Sequence, residues 1–537
     1  MIPDITKMSL REKIGQTAIP APNSLEDGRK AYGCYEQYLK KYPYSGIYIG
    51  RFRSDDGEII SETKAFANFI KGLQPKMPIP LFVTCDGEFG IRGWMFDDGH
   101  TITPQIGVAA ANDEELAYKR GLYWGRELSS LGINWPFSPV GDLAKSFFSS
   151  HSVRCFSDDS EKAGRMFAAT IKGLQQNGIA ACAKHFPSGG HDFRDAHFSF
   201  CVIDDTLDEW SNGQKKVWEA AKKAGVKTFM IGHPAMPCVD PVPVKHRIPR
   251  PSSASSKVID ILRKDIGHEG VIVSDAVSMK SLAASFSHDD IYIECFNAGN
   301  DIVLFCHDDY FDVMEKAVKC GRVSLERLDE SVERILRLKD ELGLFDGKFI
   351  GAPMTEQETS DFEKVIFELS SKSLTLVSNS DGAVPFDKNS VKKVSVIAIT
   401  EYRPFIDRLE ALKSAFEAYG INCAIYDGLN SKRELEHICD ESEIVIYACY
   451  ICNNRPFGFP GFSSPKSINT LFHSFSHGFE KSVAVSFGST TVYYNYFEYA
   501  NAYIDAYSDS PETMKAVAMA LLGDIPFKGV PPMKLHP

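Results

Sequence analysis

Residues 184–197 read Lys-His-Phe-Pro-Ser-Gly-Gly-His-Asp-Phe-Arg-Asp-Ala-His, which packs proton carriers and hydroxyl-gripping groups (Lys184, His185, Asp195 and His197) into one short segment. Its centre, Pro-Ser-Gly-Gly, fits neither helix nor strand, because proline lacks a backbone donor and glycine is too flexible. The apolar run Ile179 to Ala183 just before it is of strand type. The polar groups are therefore expected on a loop at a strand's carboxyl end, where α/β enzymes carry their chemistry. Asp195 and His197 are two residues apart, near enough for the carboxylate to orient the imidazole and stabilise its charged form.

Other polar residues fall beside apolar runs in the same way. Asp86 and Glu88 follow Leu81–Cys85, His233 follows Met230-Ile231-Gly232, and Asp275 follows Val271–Ser274. Asp142 and Asp301 read as strand-end caps. Hydrolysis of a sugar with retention needs a carboxylate nucleophile and a separate acid/base. Asp275 suits the first role, since its charge also stabilises an oxocarbenium-like transition state. His197 suits the second, because an imidazole titrating at about 6.5 both gives and takes a proton at neutral pH. Asp195 would hold its tautomer. Sugar hydroxyls favour bidentate acceptors and charged donors, which Asp86, Arg92, Arg154, Lys184 and His185 supply, with His233 as a further candidate ligand.

These residues need a scaffold of parallel strands. Strand-type runs occur near 13–19, 46–50, 81–85, 133–140, 179–183, 228–232, 270–274 and 301–305, with helical stretches at 113–130, 160–177, 207–224 and 254–265. Eight strands alternating with helices predict a (β/α)8-type TIM barrel over residues 1–345, closed by an amphipathic helix from Leu325 to Leu344. Residues 346–372 read as a linker with a helix near 358–371. Residues 373–537 then alternate again, with strands near 392–399, 422–426, 443–448, 482–487 and 502–506. They predict a second, open α/β sandwich domain with helices on both faces. None of its strands is followed by Gly-x-Gly-x-x-Gly, so no dinucleotide site is expected. The stretch 452–467 reads as one long, inert loop.

The chain has 537 residues, a 44% apolar and 24% charged composition and a net charge of −12. That length suits two or three domains. The negative charge argues against nucleic acid and anionic membranes as partners. The first twenty residues carry Asp4, Lys7, Arg11, Glu12 and Lys13, with no apolar segment of secretory type, and no apolar run elsewhere is long enough to span a bilayer. Thirteen scattered cysteines, with a single Cys-x-x-Cys at Cys449 and Cys452, fit reduced thiols in a cytoplasmic protein better than a zinc site or a disulfide framework.

Taken together, the motifs resemble glycoside hydrolase family 3, and within it the bacterial β-N-acetylglucosaminidases. The family's loop Lys-His-Phe-Pro-Gly-His-Gly with Asp-Ser-His is matched in length and at both ends by Lys184 to His197. Ser274, Asp275 and Met279 match its nucleophile motif. Arg154 to Ser160 match Arg-Ser-Phe-Gly-x-Asp-Pro, and Asp86, Glu88, Gly90 and Arg92 match Asp-x-Glu-Gly-Gly-x-x-x-Arg. The likeness continues in Ser373–Val377, Ser486-Phe487-Gly488 and Leu522-Gly523 followed by Gly529. Differences are Ser188-Gly189-Gly190 for Gly-His-Gly, His191 for an Asp, Cys155 for a Ser, and an Asp86-to-Arg92 spacing two residues short.

The resemblance implies a retaining exo-β-glycosidase in which Asp275 forms a glycosyl-enzyme, and His197, paired with Asp195, protonates the leaving oxygen and then activates water. Asp86, Arg154, Lys184 and His185 would hold the terminal sugar. The Asp-x-His loop marks the N-acetylglucosaminidase branch, so the expected substrate is β-linked N-acetylglucosamine on cell-wall fragments or chitooligosaccharides. No cofactor and no metal are implied. Alternatives within the family are a β-glucosidase and a glycoside phosphorylase. From other classes come a silent sugar-binding module and a metal-dependent barrel hydrolase using His185, His191, His197, His233 and Asp275. The last lacks the His-x-His that such barrels need after an early strand.

Overall fold

The computed structural model describes residues 2–149, 151–245, 247–451 and 461–536. The chain divides into two compact units. The first comprises Met1–Thr101, Ala117–Leu143 and Phe167–Thr359, and the second Ile102–Leu116, Ala144–Met166 and Ser360–Pro537.

Eight short strands build the first unit: β1 (Ala18–Pro20), β2 (Gly46–Tyr48), β3 (Phe82–Cys85), β4 (Trp135–Pro136), β5 (Cys182–Phe186), β6 (Thr228–Ile231), β7 (Val271–Ala276) and β8 (Ile302–Cys306). They pair in parallel as β1-β8-β7-β6-β5 and β2-β3-β4. Two seams close the ring. The Ser45 N–H donates to Ala18 O at 3.0 Å, and the Cys182 N–H to Ser138 O at 2.8 Å. The result is a TIM-type barrel. Its apolar filling includes Ile19, Phe82, Trp135, Phe137, Cys182, Met230, Val271, Val273, Ile302 and Leu304. Side chains fill the space inside the strands, so chemistry is confined to the rim.

The strand expected at 13–19 is in fact the helix Leu10–Gln16, and only Ala18–Pro20 is extended. Ser9 accepts from the Glu12 N–H while the Glu12 carboxylate accepts from the Ser9 N–H, a capping box that starts a helix before the apolar run ends. The run 133–140 contributes only Trp135–Pro136 as strand, because Pro136 and Pro139 bring no ladder donors. The helix expected over 207–224 is broken at Gly213 into Leu207–Asn212 and Gln214–Lys223. β5 starts three residues later than expected, so Lys184 and His185 lie within the strand rather than after it.

In the second unit, β9 (Thr375–Asn379), β10 (Lys393–Thr400), β11 (Asn422–Tyr426), β12 (Ile444–Tyr450), β13 (Ser482–Ser486) and β14 (Ala502–Asp505) form one sheet. Their order is β9-β14-β13-β12-β10-β11, parallel except for β9. β9 is the strand that the sequence reading misses, a short antiparallel edge whose residues are only half-buried after Thr375. The central strands bury both faces. Val394, Val396, Ile446, Val485 and Ile504 point into one core, and Ile397, Ile399, Val445, Tyr447, Ala484 and Tyr503 into the other. Helices on both sides of the sheet follow from that pattern, giving the α/β sandwich.

The segments 102–116 and 144–166 belong to this unit although they sit early in the chain. Ile106, Ala110, Ala144 and Cys155 pack with Tyr507 and Met533, and the Val530 N–H donates to Ala110 O at 3.1 Å. Cys449 is buried in β12, whereas its partner in the Cys-x-x-Cys, Cys452, lies outside the described residues, as does 452–460 of the long loop.

Asp301, at the entry to β8, is fully buried and accepts from Arg263 Nη2 (2.6 Å), Arg334 Nη1 (3.0 Å), Ser331 Oγ (2.8 Å) and the Ile272 N–H (2.9 Å). Replacing it by Ala leaves partly buried guanidiniums without their counter-charge. Asp301→Ala should lower unfolding stability by about 3 kcal/mol in a denaturant titration, and a loss below about 1 kcal/mol would contradict the role given to this carboxylate.

Candidate active site

The β5-β6-β7 neighbourhood sets the site. Ladder pairs join Phe186 to Ile231 and Ile231 to Ser274, so His185, His233 and Asp275 end up on adjacent strand ends. Asp275 is half-buried and its Oδ1 accepts from the Ala276 N–H at 2.7 Å. Burial pushes its pKa up, but the positive fields of His185 and His233, the Ala276 N–H and the field of His197 outweigh burial and bring it down to about 2. The carboxylate is therefore ionised at any physiological pH.

His233 is buried, with both ring nitrogens engaged. Nε2 donates to Ala276 O at 2.9 Å, which fixes the tautomer, and Nδ1 meets Ser253 Oγ at 2.7 Å. Burial lowers its pKa. Both ring nitrogens are thus engaged by protein groups, one of them the carbonyl at the end of β7.

Lys184 and Asp86 meet directly. Lys184 Nζ, buried, bridges Asp86 Oδ1 and Glu88 Oε1 at 2.6 Å each. Asp86 Oδ2 accepts from the Tyr48 hydroxyl at 2.7 Å, and both burial and Asp86 raise the Tyr48 pKa well above its ordinary value. Phe305, in β8, packs its ring against Tyr48 edge-on at 4.9 Å and holds φ at +65°, a left-handed backbone rare for a bulky residue. His185 Nδ1 donates to Asp142 Oδ2 at 2.7 Å, while Asp142 Oδ1 accepts the N–H groups of His185 and Gly189. Asp142, read from sequence as a cap, thus fixes both the ring and the turn that follows it. Arg92 is exposed on the segment after β3, and Arg154 belongs to the second unit, where its carbonyl accepts from the Gln105 amide.

The loop carrying the dyad is tied down at both ends. Trp210 and Trp218 both donate their indole N–H to Pro187 O (3.2 and 2.9 Å), and Ser188 Oγ donates to Gln214 Oε1 at 3.1 Å. His191 bridges Ser188 Oγ and Asp205 Oδ2. Asp192 accepts from the N–H groups of Arg194 and Val202 and from the Arg194 guanidinium. Asp195 Oδ1 accepts both the His197 N–H (2.9 Å) and His197 Nδ1 (2.7 Å), which fixes the orientation of the imidazole. Beneath it, Ser281 Oγ donates to Ala196 O at 2.8 Å and the Lys280 N–H to His197 O at 3.2 Å. Ala196 and Cys201 also share an apolar patch with Ala276 and Met279. The segment just after Asp275 therefore carries the loop that bears His197.

Of the five residues of the metal-hydrolase alternative, His185 belongs to a group of side chains that could share a metal ion, whereas among the described residues His191, His197, His233 and Asp275 belong to none. The sequence reading misses Tyr48, Gln214, Asp192 and Ser281 as supports. Asp142 carries the same signal as Asp275, a polar group at the end of an apolar run, whereas Tyr48 lies inside one. Gln214 and Ser281 act across long sequence separations and carry none, and Asp192 acts within its own loop.

The model of the glycosyl hydrolase family 3 N-terminal domain matches residues 9–338. The chain belongs to this family. A β-N-acetylglucosaminidase/β-glucosidase of Cellulomonas fimi is 31% identical over 339 residues, 60% of this chain and 59% of that protein, so the chain matches about three-fifths of that relative's length. A family 3 β-N-acetylglucosaminidase from Paenibacillus sp. str. FPU-7 superposes with a TM-score of 0.83 at 23% identity, covering 98% of this chain and 99% of that one. A β-glucoside phosphorylase bound to 2FGlc gives 0.84 at 24% identity over 99% and 95%. These structural likenesses show the family 3 fold, a TIM barrel followed by an α/β sandwich.

A depressed carboxylate pKa contributes stability above the unfolded value and loses it as pH falls through the folded one. Asp275 should therefore stabilise the fold fully above pH 4, with that contribution fading towards about pH 2. Asp275→Asn should flatten the acid arm of the unfolding-stability curve across that window, and a variant whose curve parallels the native one there would contradict the assigned electrostatics.

Proposed function

We propose that the chain is a retaining exo-β-glycosidase that removes terminal β-linked N-acetylglucosamine from small glycosides such as cell-wall fragments or chitooligosaccharides. Asp275 attacks the anomeric carbon as His197 Nε2–H protonates the departing oxygen; the C–O bond breaks and a glycosyl-carboxylate ester forms. His197, now neutral, takes a proton from water, which opens the ester. Asp195 keeps Nδ1 protonated throughout. Asp86, Lys184 and His185 hold the hydroxyls of the terminal sugar, with Arg154 and Arg92 as further ligands on the strength of the motif match.

One observation carries this reading: an ionised strand-end carboxylate beside an aspartate-held imidazole whose loop is hydrogen-bonded to the residues just after that carboxylate. The names of the relatives, β-N-acetylglucosaminidase/β-glucosidase and β-hexosaminidase, point to the same chemistry. A cytoplasmic setting is supported by the twelve described cysteines, none of them in a disulfide, and no described helix is long and apolar enough to cross a membrane.

Aryl β-glycosides that differ only at the 2-position test the substrate. The N-acetylated donor should be turned over fastest, and faster cleavage of the glucoside would overturn that half of the reading. On the preferred donor, Asp275→Ala should lower kcat by at least ~10⁴-fold. His197→Ala should cost about 10²–10⁴-fold with poor leaving groups and far less with activated ones, since only the former need the proton. Running the reaction in phosphate and assaying for sugar 1-phosphate against free sugar distinguishes hydrolysis from phosphorolysis.

A further inference from the structure

Three phenylalanines stand out of the loop that bears the proton carrier. Phe193 and Phe198 are each 59% exposed and Phe200 38%, within eight residues of one another. Exposed aromatic rings in such density mark a contact surface more often than chance. The loop is not loose. Asp192 clamps Arg194 and Val202, Cys201 Sγ donates to Arg194 O at 3.3 Å, and the Arg194 guanidinium lies 5.3 Å from the centre of the Phe200 ring. The rings are thus held outward by a fixed backbone.

We propose that Phe198, flanked by Phe193 and Phe200, forms the binding platform for the leaving group, and that the leaving group is a second pyranose ring. This rests on the reading of His197 as the group that protonates the leaving oxygen. That oxygen must come within hydrogen-bond reach of His197 Nε2, and the leaving group's first ring is bonded to it. The Phe198 ring centre lies 6.4 Å from the imidazole centre, with the planes tilted by 45°, which is one ring's width away. A phenyl face complements the flat C–H face of a pyranose. The loop also alternates rings with polar groups, Phe193-Arg194-Asp195 and His197-Phe198-Ser199-Phe200, which suits a ring that is apolar on its face and hydroxylated at its edge.

The test compares three donors that share one β-N-acetylglucosaminyl group: the fluoride, which has no ring in its leaving group, the 4-nitrophenyl glycoside, and the disaccharide with a second N-acetylglucosamine. In Phe198→Ala, the ratio of kcat/KM for the disaccharide to that for the fluoride should fall by about tenfold, the discrimination expected from partial burial of one phenyl ring. The change should lie mainly in KM, and Phe198→Tyr should restore most of it. An unchanged ratio, or a fall confined to the nitrophenyl donor, would overturn the assignment of a sugar-binding platform. A native enzyme inactive on all three donors would instead overturn the glycosidase reading beneath it.

Discussion

The candidate site depends on one constraint: a histidine on a loop must keep a fixed relation to a carboxylate at the end of a different strand. The chain meets it by fastening the backbone and leaving the side chain outside. The carbonyls of Ala196 and His197 are gripped by the Ser281 hydroxyl and the Lys280 N–H, and Ala196 sits in an apolar patch with Ala276 and Met279. The His197 side chain nonetheless stays 59% exposed. A fixed backbone with an accessible ring suits a group that must first donate a proton to an oxygen and then take one from water, with different partners in the two steps.

Charge is partitioned with the same economy. Lys184 is occupied by Asp86 and Glu88. Asp275 is kept below the ordinary carboxylate range by neighbouring imidazoles and one backbone N–H, and among the described residues no lysine or arginine pairs with it directly. A carboxylate locked in such a pair would give up the electron density it needs for attack, whereas diffuse stabilisation keeps it charged and available. His233 contributes to that field, and both nitrogens of its buried ring are engaged by protein groups.

Much of this was legible in the residues themselves. The alternation of apolar runs and helical stretches gives the barrel and the sandwich, and the strand-end rule finds Asp86, Asp275 and the Asp195–His197 pair. What escaped it was decided in one case by local capping and otherwise mostly by partners far along the chain. The capping box at Ser9 turned an apolar run into a helix, and the ladder to β6 drew Lys184 and His185 into β5. Asp142 reads as a cap until His185 is seen beside it. Gln214 and Ser281, each buried and each fastening one end of the loop that bears His197, are ordinary helix residues by sequence. The packing of 102–116 and 144–166 with the carboxyl-terminal half is likewise a product of tertiary contacts alone.

The account stands on Asp275 as the atom that takes the sugar. Incubating the protein with a 5-fluoro-β-N-acetylglucosaminyl fluoride, which slows release of the glycosyl group, and mapping the modified peptide by mass spectrometry tests that directly. The expected result is one glycosyl adduct per chain, on the peptide containing Asp275. Turnover of ordinary substrate with no adduct, or an adduct on any other carboxylate, would contradict it.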